Sequence, residues 1–259
     1  MYIFVLLLII IVLSILQEKS VVVEKFGKEP IHLFWTGGYD STYRLCELLI
    51  VYKKSVQPIY ISDPKLDDIK GRYSRKNVDI EIKTMDTIKR KLVEKYPYTE
   101  NLILPTIFYN KVNLDSDILE TANRLYKERK LPRPVNQYAG MAQVTRIINK
   151  PVEVGVEDDH RSSMRRAVID SVGCDKDDCV CELDDCTVKN KELIVFKNFR
   201  FPIINVSKEQ MLENSKKNGY DDILIQSWSC WFPVKGKPCG KCPMCKHRIV
   251  SSPHYERQT

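Results

Sequence analysis

The sequence has no internal repeat and no long low-complexity linker, so its 259 residues read as one folded domain with an appendage. Charge of one sign is not in large excess either. The 41 Lys and Arg against 34 Asp and Glu give a net charge of +7, a basic bias that permits contact with nucleotide or nucleic acid without requiring it. The apolar opening MYIFVLLLIIIVLSIL shows neither a basic segment before it nor a small-residue cleavage site after it, and reads as a poor signal peptide. At 16 residues it falls short of the roughly 20 that span a bilayer as a helix. The preferred reading of residues 1–18 is a short membrane anchor acting through residues 1–16, with Lys19, Lys25 and Lys28 keeping the catalytic part in the cytoplasm. A buried strand or helix, or an upstream extension outside the enzyme, are the other readings.

The stretch HLFWTGGYDSTYRL, residues 32–45, is also defined by what its turn lacks. A P-loop needs a lysine after its second glycine, and none lies between Trp35 and Tyr43; a dinucleotide fingerprint needs a third glycine. What is there is a strand-like run, two adjacent glycines, hydroxyls, one carboxylate and a helix-like run. Gly37 and Gly38 permit a tight turn with bare N–H groups, and the following helix brings its positive end to the same spot. The expectation is a phosphate site. Backbone N–H groups of residues 37–41 and the hydroxyls of Thr36, Ser41 and Thr42 would hold the β- and γ-phosphates of ATP, with Asp40 meeting Mg²⁺ or the loop backbone. Held this way, pyrophosphate becomes a leaving group, and Asp40 and Ser41 are the expected catalytic residues. The bland alternative is a glycine turn in a strand-to-helix connection.

Around this turn, strand and helix patterns alternate. PIHLFW and VQPIYIS read as buried strands flanking a helical STYRLCELLIVYKK, and further helices are expected over 84–95, 116–130 and QYAGMAQVTRII. PVEVGV and ELIVFKNFRFPIINV read as later strands, and SKEQMLENSKKNG as a capped helix ending at Gly219. The implied fold class is α/β, a Rossmann-like doubly wound parallel sheet with ligands at the carboxyl ends of its strands. It would occupy residues 29–220, interrupted by a Cys- and Asp-rich surface insertion at 173–187. Glu157, Asp158, Asp159 and His160 follow one such strand end and are candidates for holding a substrate through its N–H groups; a dipole-stabilised helix start is the alternative. Gln137 and Tyr138 open a helix and are rim candidates.

Nine cysteines occur. Cys46 lies on the apolar side of a helix and reads as a buried thiol. Cys230, Cys239, Cys242 and Cys245 have the spacing C-x8-C-x2-C-x2-C, with Gly240 and Pro243 supplying turns, and are expected to form a closed structural Zn²⁺ site within a C-terminal region, residues 221–259. Disulfides are the competing reading. Cys174, Cys179, Cys181 and Cys186 match no spacing that demands a metal and read as unligated or redox-sensitive surface cysteines, with a second zinc as the alternative.

Two sequence features together carry a resemblance. TGGYDS is similar to the S-G-G-x-D-S loop of PP-loop ATP pyrophosphatases, with Thr36 in place of serine, and FPIINVSKEQ…QSWSCWFPVKGKPCGKCPMCKHR resembles the tail of 7-cyano-7-deazaguanine synthase. The resemblance implies a PP-loop domain with a structural zinc. It also implies ATP-driven conversion of a deazaguanine 7-carboxylate to an amide and then a nitrile, with ammonia as nitrogen donor and queuosine precursor as product. The family's Y-G-Q-R-H stretch is absent, and its N-x-x-D-x-x-x-Y-P-D-C segment is replaced by GVEDDHRSSMRR. A PP-loop enzyme acting on tRNA or another nucleobase is the enzymatic alternative, with the basic stretches 124–133 and 235–248 as contact surface, although nucleic acid is not favoured. A membrane-tethered, non-catalytic zinc and nucleotide module is the second alternative.

Overall fold

A computed structural model describes residues 29–63, 77–128, 135–160, 162–172, 181–183 and 189–251. The apolar opening and Cys174, Cys179 and Cys186 lie outside these residues. Among those described, no helix is long and apolar enough to cross a membrane.

The first strand, β1 (Ile31–Phe34), is followed by helix α1 (Tyr39–Cys46), which continues as a wider π turn through Val51. Strand β2 (Val56–Ile61) pairs in parallel with β1, and β3 (Ile107–Tyr109) pairs in parallel with β2. On the other side, β4 (Val152–Glu153) pairs with β1, and β6 (Phe199–Phe201) with β4, both parallel. β5 (Cys181–Glu182) closes the edge against β6 in the antiparallel sense. The order is β3-β2-β1-β4-β6-β5, so the chain leaves β1 in one direction for β2 and returns on its other side with β4. That reversal opens a crevice beyond the carboxyl ends of β1 and β4.

Alternation along the strands loads both faces. Leu33 and Trp35 pack with α1, with α2 (Val78–Lys95), with Met211 of α6 (Lys208–Lys217) and with Ile223 and Leu224 of the short α7 (Asp221–Leu224). Phe34, Val152 and Val154 pack on the opposite face with α3 (Ser116–Lys127), α4 (Val135–Ile148) and α5 (Ser163–Val172). The doubly wound α/β reading of the sequence is therefore the observed architecture.

Three elements differ from their sequence reading. α2 starts at Val78, earlier than 84, and buries Glu81 against Tyr60 and Asn77. β3 was not expected from the sequence; Ile107 and Phe108 are more than a third exposed on the sheet edge, so no apolar alternation marks the strand. The run ELIVFKNFRFPIINV is not one strand. Lys191–Phe196 is a 3₁₀ turn capped by the Asn190 side chain, which buries Leu193 and Phe196 at a spacing of three; β6 then ends at Pro202, which has no N–H for a ladder.

Candidate active site

The glycine turn joins β1 to α1 at the reversal point. Gly37 has φ +71°, and a Cβ there would lie 3.2 Å from Thr84 Cγ2 and 3.3 Å from Met85 Cγ, so both conformation and space call for glycine. Gly38 is the N-cap of α1, has an ordinary extended conformation and gives no side-chain cap. The first-turn N–H groups of α1 therefore open on the crevice without a capping oxygen from their own N-cap. Gly155, just past β4, completes the turn: a Cβ on it would stand 3.1 Å from the Ser41 nitrogen. Its bareness lets the start of α1 lie against the end of β4.

A cleft of about 550 Å³ spreads from this point, lined on one side by Thr36, Gly38, Tyr39 and Asp40 and on the other by Glu157, Asp159, Lys208, Trp228, His247 and Arg248. A narrower recess of about 160 Å³ shares Thr36, Gly38, Asp40 and Gly155 and runs between Phe34, Ile59, Ile61 and Met141, with Asp63 in its wall. Asp63 is buried and accepts a hydrogen bond of 2.8 Å from the Val112 N–H. A largely apolar slot with two carboxylates, Asp63 and Asp40, leading to a helix N-terminus, has the make-up of a nucleoside pocket beside a phosphate pocket.

A chain of charges crosses the cleft. Lys208, the first residue of α6, reaches both Asp40 and Glu157, the latter at 2.6 Å from Nζ to Oε2. The other oxygen, Glu157 Oε1, lies 3.0 Å from His247 Nε2, and Asp159 Oδ2 lies 3.7 Å from the same nitrogen. The Tyr39 ring sits between two cations, with Lys208 Nζ 5.0 Å and Arg248 Cζ 5.4 Å from its centroid. Burial, and after it the Arg248 guanidinium, push the Lys208 pKa down, while the ion pairs with Asp40 and Glu157 favour its charged form. Arg248 is buried and is held by the hydroxyls of Ser229 and Ser227, each at 2.9 Å.

The four C-terminal cysteines lie at the end of the same wall. Their sulfurs are all within 4.8 Å of one another. Cys239 and Cys245 are 4.0 Å apart, close to the roughly 3.8 Å between sulfurs set tetrahedrally about an ion at about 2.3 Å. Backbone N–H groups of Cys239, Cys242 and Cys245 donate to the sulfurs of Cys230, Cys239 and Cys242. The N–H of Lys241 is the main cause that brings the Cys239 thiol down to about 6, which favours the thiolate a metal needs. This donor set fits a metal ion. Helix α8 (Pro243–Ser251) carries Cys245 to the cluster and, two and three residues on, His247 and Arg248 to the cleft. The Trp228 N–H donates to the Gly37 carbonyl at 2.8 Å, tying this wall to the glycine turn.

The structure brings Thr36, Gly37, Gly38, Asp40 and Ser41 together as the sequence suggested. Thr42 is placed elsewhere: it is fully buried and its hydroxyl accepts a hydrogen bond from the Trp35 indole at 3.1 Å, so it packs the turn instead of lining the cleft. After β4 the side chains divide. Glu157 and Asp159 line the cleft, Asp158 pairs outside it with Arg165 at 2.8 Å, and His160 is exposed. Gln137 and Tyr138 do line the cleft. Lys208, Gly155, His247 and Arg248 were not singled out individually. The serine-lysine helix start and the basic residue after the last cysteine were the available signals for Lys208 and Arg248.

Residues 184–254 match the family model of the queuosine biosynthesis protein QueC, a stretch that holds Lys208, the four cysteines, His247 and Arg248. No curated protein matches the chain. Among solved structures it is similar to the U34-tRNA thiolase NcsA from Methanococcus maripaludis with its [4Fe-4S] cluster, at 12% identity and a TM-score of 0.38, over 94% of this chain and 78% of that one. The fold, the glycine turn and the family match define an ATP-dependent enzyme of the PP-loop type. Within that class the protein is QueC-like, the likeness residing in the part of the chain that builds the far wall of the cleft and the cysteine cluster.

Proposed function

We propose that the protein is a ligase of the 7-cyano-7-deazaguanine synthase type, acting on a 7-carboxy-7-deazaguanine-like carboxylate. The observation that carries this reading is that the QueC-matching residues supply Lys208, Arg248 and His247 to the wall facing the glycine turn. The substrate carboxylate attacks the α-phosphate of ATP, releasing pyrophosphate; ammonia displaces AMP to give the amide. The amide oxygen then attacks the α-phosphate of a second ATP, releasing a second pyrophosphate, and loss of AMP with the two amide protons leaves the nitrile. The N–H groups at the start of α1, with Thr36 and Ser41, hold the departing pyrophosphate, and Lys208 exchanges Asp40 for phosphate oxygens while keeping Glu157. Asp40 meets Mg²⁺ carried in with ATP. The base lies beside Trp228 and Trp231, on the side of the cleft that Glu157 and Asp159 line.

The four cysteines hold a structural Zn²⁺. A sulfur spread within 4.8 Å suits one tetrahedral ion better than a multi-iron cluster, and four thiolates leave that ion no open position. A second reading, modification of a tRNA, draws on Lys235, Lys237 and Lys241, which are exposed on the cysteine lobe near the half-exposed Trp231 at the cleft mouth.

The test is incubation of the purified protein with ATP, ammonium and 7-carboxy-7-deazaguanine, followed by mass spectrometry. Amide, nitrile and AMP are the expected products. ATP turnover that depends on tRNA and ignores the deazaguanine would replace this reading with the second.

A further inference from the structure

The geometry points to a second metal site in the cleft, distinct from the cysteine cluster: a divalent first-row transition ion held by His247 Nε2, Glu157 Oε1 and Asp159 Oδ2. These three atoms lie within 4.8 Å of one another, and they come from two separate parts of the chain, the segment after β4 and helix α8. The separations of 3.0 Å and 3.7 Å from the histidine nitrogen to the two carboxylate oxygens are those of neighbouring ligands around an ion at about 2.0–2.2 Å. The remaining oxygen of Glu157 is held at 2.6 Å by Lys208, which fixes the carboxylate and leaves Oε1 turned to the histidine. Such an outer partner orients a ligand in the usual way.

One imidazole and two carboxylates suit Mn²⁺, Fe²⁺ or Zn²⁺ better than Mg²⁺, which seldom takes nitrogen. Three protein ligands leave coordination positions open, the mark of a site that meets substrate. All three residues line the cleft that Asp40 and the glycine turn close from the other side, so the further ligand is an oxygen anion bound there, a carboxylate or a phosphate. Glu157 and Asp159 stand where the sequence departs from the QueC pattern, in GVEDDHRSSMRR. The inference does not rest on which base or acceptor the enzyme uses.

The probe is Mn²⁺, which has little affinity for thiolates, titrated into nucleotide-free protein whose cysteine-bound metal has first been quantified. The free-ion signal is read by electron paramagnetic resonance. Wild-type protein should take up one Mn²⁺ per chain. Asp159→Asn and His247→Ala should each weaken that uptake by about a hundredfold or more, beyond the 10–100-fold that loss of an outer partner costs, with cysteine-bound metal retained. His247 lies on the helix that carries Cys245, so if His247→Ala also loses the cysteine metal, Asp159→Asn decides. No stoichiometric Mn²⁺ on the wild type, or unchanged uptake in Asp159→Asn, would reduce the cluster to a histidine–carboxylate hydrogen bond and overturn the proposal. Because no ATP, deazaguanine or tRNA is present, either outcome is independent of the catalytic reading.

Discussion

Asp40 and Thr42 are two residues apart on the same helical turn, and the structure gives them opposite tasks. Asp40 faces the cleft and pairs with Lys208, whereas Thr42 is buried beneath the turn and receives the Trp35 indole N–H. Asp40→Ala should therefore abolish AMP formation with melting temperature little changed, since Lys208 keeps Glu157, whereas Lys208→Ala should abolish it and also lower the melting temperature by stranding the buried Glu157 carboxylate. Thr42→Val should instead leave Trp35 with an unsatisfied buried donor, at a cost of about 1–3 kcal/mol in urea unfolding, while AMP formation persists. If Thr42→Val stops turnover at full stability, the hydroxyl belongs to the phosphate site after all. Gly37→Ala should lose both, since it meets Thr84 and Met85 in a left-handed conformation. Residue type and spacing revealed the turn, but not the side on which each hydroxyl falls. The same holds after β4: four polar residues in a row were visible, but only the backbone path decides that Glu157 and Asp159 turn inward and Asp158 outward.

Among the elements, α1 is the one on which the site depends, and a buried ion pair fixes its pitch. Arg44 makes a bidentate contact with Glu153 of β4, at 2.8 Å and 2.9 Å, and a third bond with Glu47 at 2.6 Å. Removing one partner strands a buried charge, so Glu153→Ala should cost about 3–5 kcal/mol by chemical unfolding, with loss of the register between α1 and β4. A cost below about 1 kcal/mol would mean that the pair is as weak as a surface bridge. The helices were legible because their apolar faces repeat with the helical period, as in α3, and because the capping box of Ser207 and Gln210 announces α6. β3 was not, since both faces of an edge strand can be exposed, and the 3₁₀ turn at Lys191–Phe196 was not, since six apolar-rich residues carry too few turns to separate one period from another.

At the scale of the whole molecule, the cysteine cluster and the cleft form one structure. The sequence presents the cluster as a stabilising appendage, and its spacing carries nothing about the cleft. Only the fold shows that α8, anchored at Cys245, delivers His247 and Arg248 to the wall where Tyr39 and Lys208 lie. Cys242→Ser, or stripping of the metal by a chelator, should therefore lower the melting temperature and weaken ATP binding in parallel, since metal affinity here is part of folding free energy. Calorimetry on metal-loaded and metal-free protein checks this. Unchanged ATP affinity after complete metal loss would show that α8 keeps its place without the cluster.

The hydrogen bond from Trp228 to the Gly37 carbonyl also sets an order of events during synthesis. The glycine turn leaves the ribosome long before the tryptophan does, and β4, Lys208 and α8 follow in that sequence. Until Trp228 and α8 have been made, the glycine turn has no opposite wall. Closure, and with it the capacity to spend ATP, arrives only when the last helix docks.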